Sequence, residues 1–373
     1  MLRSSCGTFS HGILALKYAR VKCVRPTRLY HRASDKTPKS EVRRMNERIY
    51  GDSGVVQSPQ ESVVSRVQRT IISHFGPQYR VAVFGSSVYS TKQTGDLDLM
   101  ILDDQRPNGI TPQLLGKRLP RVYSVFALSK ALSYDGFRIQ AVQASAPIPI
   151  VAFEDPRTKL SCDICVNERV GYVNSQMIKK YVELSPILEP IIRDVKMWAS
   201  SIGIAGAAMS GFSTYCLALM TIALFQKWGL LPNLQEEPLP PAMKDDFFWV
   251  TDRKRTRTQQ CDVRFHRHIP SSWQSSSKPH MTKEEALEKW MQFWAEEYQY
   301  GVDAVCIRLG GIVSASTAFP SSNPVSHGGN PARSDSIIIA DPFVVNKDKG
   351  YPIGFAMLKK FRAGSRLALE RLT

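Results

Sequence analysis

One stretch, Val81 to Leu102 (VAVFGSSVYSTKQTGDLDLMIL), constrains this chain more than any other. It reads as a strand, a tight Gly85-Ser86 turn, a short helix and loop, and a second strand carrying Asp96 and Asp98. Along a strand, residues i and i+2 share a face, so the two carboxylates are expected side by side while Leu97 and Leu99 face a core. Carboxylates held this way repel each other unless a cation lies between them. Gly85 can adopt backbone angles closed to other residues and lets a phosphate approach the main chain. Ser86 and Ser87 then open a short helix whose free N–H groups favour an anion. An acid pair beside an anion-binding turn is what two-metal phosphoryl or nucleotidyl transfer requires.

The chain has 373 residues, enough for two domains with proper cores, and no apolar run approaches the ~20 residues of a membrane span. Its formal net charge is +16. Residues 1–34 hold seven basic residues and no acid, an Arg-rich composition that predicts a mitochondrial targeting segment; a basic tail of a cytoplasmic or nuclear protein is the alternative. Subtracting those seven from +16 leaves +9, which suits a polyanionic partner. Seven scattered cysteines predict no disulfide framework, and Cys162-x-x-Cys165 on a strand faces two ways, so core thiols are expected rather than zinc ligands.

Residues 35–59 read as a polar linker. Val63 to Phe75 has helical periodicity, Thr111 to Ser133 reads as an amphipathic helix or helix pair, and Phe137 to Val142 alternates as a strand. Pro147 to Phe153 and Lys159 to Val166 form an expected hairpin whose second strand, LSCDICV, carries Asp163. Cys162 and Ile164 face away from that acid, which then supplies a third carboxylate to the site. From residue 174 the character turns helical: Asn174 to Tyr181, Pro186 to Ser201 and Ser213 to Trp228, with Asn174 and Ser213 at helix starts. Residues 232–281 read as an insertion with a basic run (Arg253, Lys254, Arg255, Arg257, Arg264, Arg267), either solvated or contacting single-stranded RNA with Phe265 or Trp273 stacking on bases. The Trp290, Phe293, Trp294 stripe is expected in a core.

The order GS, DLD, CDICV, helical segment and ADPF resembles the noncanonical poly(A) polymerase and terminal uridylyltransferase branch of the DNA polymerase β-like nucleotidyltransferase superfamily, over roughly residues 60–355. The resemblance implies an α+β fold: a nucleotidyltransferase domain (60–172), a helical central domain (173–355) with the 232–281 insertion, a cleft between them, and a closing helix at 356–373. It implies that Gly85 and Ser86 hold phosphate, that Asn174 and Ser175 contact the ribose, that Lys196 in DVKMWASS grips the triphosphate, and that Ser213, Thr214 and Tyr215 bind phosphate and stack on the base. Asp96, Asp98 and Asp163 would hold two Mg²⁺ or Mn²⁺ ions. Three departures stand out. Ser200 replaces a second lysine one turn after Lys196. Gly95 and Ser90 replace Ser and Gly near the DLD strand. Lys347 occupies the place, six residues after Asp341, of a uracil-contacting histidine.

The expectation is therefore a template-independent RNA 3′-terminal nucleotidyltransferase that uses ATP. The substrates would be a single-stranded RNA 3′ end and a nucleoside triphosphate, without a membrane, and a separate RNA-binding protein would serve target choice. A terminal uridylyltransferase and a catalytically inactive RNA-binding scaffold are the alternatives.

Overall fold

The apolar run along Leu97–Asp103, buried on both faces from Leu99 onward, fixes the centre of the first layer in the computed structural model. This model describes residues 58–90, 96–146, 148–206, 210–252, 256–269, 273, 280–320 and 335–372. The expected targeting segment 1–34, the linker up to residue 57, Gly95 and the basic residues 253–255 lie outside the described residues. Helix α1 (Pro59–Phe75) opens with a capping box: Ser58 accepts from the Glu61 N–H at 3.2 Å, and Glu61 accepts from the Ser58 N–H at 2.8 Å. A box of this kind contributes about 1 kcal/mol. The helix thus begins inside the stretch expected as linker, because Ser58-Pro59-Gln60-Glu61 is itself a helix-start signal.

The sheet has the order β1-β2-β5-β4-β3. Its strands are β1 (Tyr79–Val83), β2 (Leu97–Asp103), β3 (Arg138–Gln143), β4 (Ile150–Glu154) and β5 (Ser161–Val166). Only β2 and β5 run parallel; β1 with β2, β4 with β5 and β3 with β4 are antiparallel. Leu97, Leu99, Cys162 and Ile164 point to one face, where they join Val63, Val67 and Ile71 of α1 and Leu128 and Leu132 of helix α2 (Val125–Tyr134). Each fully buried aliphatic side chain there contributes about 1.5–3 kcal/mol. The helix expected from Thr111 to Ser133 is shorter than the sequence suggested. Pro112–Leu114 and Arg121–Tyr123 are single 3₁₀ turns, and the α-helix starts after Ser124, which caps it.

Helix α3 (Arg169–Leu184) crosses the expected boundary at 172/173. Its first turns lie on the other face of the sheet, with Tyr172 packed against the group of Met100, Leu102 and Cys165; Met177, Ile178 and Tyr181 are buried in the helical core. Asn174 therefore sits mid-helix rather than at a helix start. Residues 57–373 form one compact unit, in which α3 belongs to the helical core and also touches the small Met100, Leu102 and Cys165 cluster through Tyr172. Helices α4 (Leu188–Ser201), α5 (Thr214–Lys227), α6 (Lys283–Gln292) and α7 (Phe355–Leu372) build the second core. Its centre is aromatic: Phe361 of α7 stacks on Phe212 at 4.6 Å and meets Trp198, Trp290 and Trp294 edge-on.

The 232–281 segment is not merely a solvated insertion. Strands β6 (Phe247–Thr251) and β7 (Thr258–Asp262) pair as an antiparallel hairpin, and Phe248, Cys261, Val263 and Phe265 join the helical core. Phe265 is 4% exposed and cannot stack on a base; Arg264 is tied to Asp262 and to the Pro240 carbonyl. A small sheet, β10-β8-β9 (Ile338–Ile339, Asp303–Cys306, Gly311–Ser314), completes the fold. Cys162, Cys165, Cys216, Cys261 and Cys306 are buried free thiols. Among the described residues no helix is long and apolar enough to cross a membrane.

Candidate active site

Asp98 and Asp163 are direct partners in the parallel β2–β5 register, so their side chains leave the same face of the sheet. Asp96 lies one residue before β2 and is exposed. Burial, then Asp163 and Asp96, push the Asp98 carboxyl up to about 7, and Lys196 pulls it back; Asp163 is raised by burial and by Asp96. The three acids thus act on one another. Among the described residues, however, no group of three His, Cys, Asp or Glu side chains converges closely enough to form a ready metal cage. The arrangement is a facing pair with a third acid beside it. Hard carboxylate oxygens, half-buried and mutually repelling, are the donor set that a divalent cation neutralises, so the residues fit such an ion.

The turn after β1 supplies the next element. Gly85 adopts φ +69°, and a Cβ there would run into the Asp98 carboxylate. Its N–H donates to Ser175 Oγ at 2.8 Å, and Ser175 donates onward to the Gly171 carbonyl at 3.0 Å. Ser175, expected at the ribose, has its hydroxyl proton engaged on α3 and ties that helix to the turn. Its neighbour Asn174 is 7% exposed, and its Oδ1 has no hydrogen-bond partner. A buried acceptor left in that state is worth about 1–3 kcal/mol to any group that satisfies it.

Beside the turn, a small open cleft brings together Ser86, Lys196 and Thr214, with Tyr89, Ser90, Glu189, Ile192 and Arg193 completing its wall. Lys196 and Arg193 come from α4, and Thr214 from the first position of α5, which Ser213 caps by accepting from the Cys216 N–H at 3.1 Å. Arg193 and Glu189 were missed by the sequence reading, although Arg193 lies three residues before Lys196 and hence on the same helix face. A larger cavity is lined by Tyr123, Asn167, Arg169 and Trp249 among others and contains none of the expected site residues.

Asn174, Ser175, Ser213 and Tyr215 do not line the smaller cavity. Tyr215 packs against the helical core, with its phenol oxygen buried and unpartnered. Lys349 sits 5.4 Å from the centre of its ring and pairs with Asp341 at 3.2 Å. Lys347, the residue singled out in sequence, is exposed.

Residues 56–183 match the family model of the central palm domain of mitochondrial-like poly(A) RNA polymerases. The chain is 28% identical over 258 residues to the Xenopus laevis poly(A) RNA polymerase GLD2-A, covering 66% of this chain and 45% of that protein. It is 26% identical over 195 residues to the Schizosaccharomyces pombe poly(A) RNA polymerase cid13, covering 51% and 31%. It therefore spans less than half the length of these relatives. In three dimensions it is similar to the crystal structure of Cid1 poly(U) polymerase, with a TM-score of 0.62, 19% identity, and 88% and 93% of the two chains covered. A cytoplasmic RNA terminal U-transferase gives 0.63 and 18%, covering 89% and 94%. Both are likenesses of fold. The palm match over residues 56–183 and the sequence relatives make the chain similar to noncanonical poly(A) RNA polymerases, and its fold is similar to that of Cid1 poly(U) polymerase.

Proposed function

We propose that this chain is a template-independent nucleotidyltransferase that adds AMP from ATP to RNA 3′ ends. The observation that carries the reading is the facing Asp98–Asp163 pair, set against the Gly85 turn that borders the Ser86, Lys196 and Thr214 cavity. A variant of Cid1 has been crystallised with MgATP, and the sequence relatives are named poly(A) polymerases; both support this chemistry here. Two divalent cations, held by Asp98 and Asp163 with Asp96, would supply charge neutralisation at the α-phosphate and a more acidic 3′-hydroxyl. Lys196 and Ser86 then hold the β and γ phosphates as charged and neutral donors. Asp163 orients the RNA 3′-oxygen toward the α-phosphorus; that P–O bond forms as the bond to pyrophosphate breaks. The unpartnered Asn174 Oδ1 suits a ribose hydroxyl, and the Tyr215 ring suits a base of any kind. Lys347 in place of a uracil-contacting histidine favours ATP over UTP.

The test is tail extension: the full chain, an unstructured labelled RNA, Mg²⁺ or Mn²⁺, and each nucleoside triphosphate in turn. A ladder with ATP that Asp98→Ala abolishes supports the reading. A ladder with UTP alone makes the chain a uridylyltransferase, and silence with all four makes it a scaffold. The acid-free N-terminus and the mitochondrial-like palm match support import into mitochondria. An endogenous protein that keeps Met1 would contradict that location.

A further inference from the structure

The cavity beside the Gly85 turn presents two cations from one helix, Lys196 and, one turn earlier, Arg193. Arg193 is held in place. Its Nη1 donates to both Glu189 oxygens at 2.9 and 2.8 Å, and Glu189 also accepts from Ser90 Oγ at 2.8 Å. The Arg193 and Glu189 side chains are 18% and 9% exposed. Both hydrogen bonds leave from Nη1, and Nε is 3.9 Å from Asp194, so the five-donor fork keeps N–H groups beyond those that fix it. Charge points the same way. Lys196 alone against Glu189 would give a neutral wall, and Arg193 makes it net positive. Ser200, one turn after Lys196, adds no charge and donates to the Lys196 carbonyl at 2.9 Å.

We propose that Arg193 is a phosphate-binding residue: its guanidinium takes the terminal phosphates of the nucleoside triphosphate, preset by Glu189, which Ser90 anchors to the phosphate turn. The proposal rests on the nucleotidyltransferase reading above. A planar fork suits phosphate oxygens geometrically in a way a flexible ammonium does not, so Arg193→Lys should recover only part of the binding.

The test compares binding of ATP, AMP and inorganic tripolyphosphate, each with Mg²⁺, to the full chain. Arg193→Ala should weaken ATP and tripolyphosphate by roughly 10- to 100-fold, the range for a hydrogen bond to a charged group, and AMP by less than about twofold. Arg193→Ala also leaves the Glu189 carboxylate without its partner. The charge-free double variant Glu189→Gln with Arg193→Met guards against misfolding, and it should show the same ATP-selective loss. A loss of equal size for ATP and AMP in both variants, or none in either, overturns the role of Arg193 while the wild type still binds ATP. A wild type that binds neither ATP nor tripolyphosphate overturns this proposal and the nucleotidyltransferase reading together.

Discussion

Replacing Gly85 by alanine separates what the fold needs from what the site needs. A left-handed backbone at φ +69° disfavours an L side chain by about 1–2 kcal/mol. The added Cβ would also strike the Asp98 carboxylate, with the Asp98 Cγ at 2.8 Å and Cβ at 3.0 Å. Strand β2 is paired on both sides, so the side chain must swing rather than the strand shift. A swing off a preferred rotamer adds about 1 kcal/mol. The fold thus loses about 2–3 kcal/mol, a drop in melting temperature of roughly 4–12 °C for a domain of about 150–250 residues and toward the lower figure for a longer one. The site loses a comparable free energy, but it appears directly in the rate, because misplacing a catalytic group by about 1 Å lowers the rate about 100-fold. Initial rates of tail extension at 25 °C, beside a thermal melt, should therefore show a cooperative fold with extension at or below about 1% of wild type. A Gly85→Ala chain with the expected melting drop and extension within about threefold of wild type would refute the idea that this glycine keeps space for the carboxylate.

Three further outcomes follow from the contacts. Tyr215→Phe removes a buried hydroxyl that has no partner, so the melting temperature should hold or rise and ATP binding should stay within about twofold; Tyr215→Ala should weaken ATP by about 1–3 kcal/mol, as titration will show. Phe265→Ala should cost about 3–5 kcal/mol of stability and leave RNA affinity unchanged at temperatures where the fold persists, because this ring is core; a selective loss of RNA binding would reverse that assignment. Asp155 is buried against Arg66. Burial alone would push its carboxyl up, but the Arg157 N–H, Thr158 and Arg66 bring it below its ordinary value of 3.8. A depressed carboxyl stabilises the fold above its unfolded value and loses that contribution as the pH falls through the folded one. The melting gap between wild type and Asp155→Asn should be wide at neutral pH, where breaking a buried pair costs about 3–5 kcal/mol, and should close below pH 3.8.

The i, i+2 spacing at the start of this strand, DLDL, made the carboxylates legible, because burial of Leu97 and Leu99 leaves Asp98 only one face to occupy. The same logic placed Asp163 between Cys162 and Ile164. Pairing of these two acids could not be read, since a parallel register depends on strands separated by a crossover of some 60 residues. Asn174 was misplaced at a helix start because α3 begins at Arg169, where docking on the sheet overrides the weak local signal. Ser175 looked like a ligand-contacting residue, but its engagement with Gly85 is a tertiary fact with no local trace. The β6–β7 hairpin was readable in principle: FFWVT is aromatic and β-branched, and Cys261, Val263 and Phe265 alternate. The neighbouring arginines and prolines drew the reading toward a loop instead. Arg193 was missed for a simpler reason, in that a charged residue three places from Lys196 looks like any solvated helix position until the opposing turn is in place.

Phe361 has a consequence in time. It stacks on Phe212, the residue before the Ser213 cap of α5, so the platform bearing Thr214 and Tyr215 leans on a ring encoded near residue 361. The acid pair is complete once Asp163 has been made, 198 residues earlier by the difference of the two positions. At about 5–20 residues per second, a ribosome needs roughly 10–40 s to cover that interval. Throughout that interval the two acids exist in the nascent chain before the ring that braces the start of α5, so the α5 side of the site is the later half to be set.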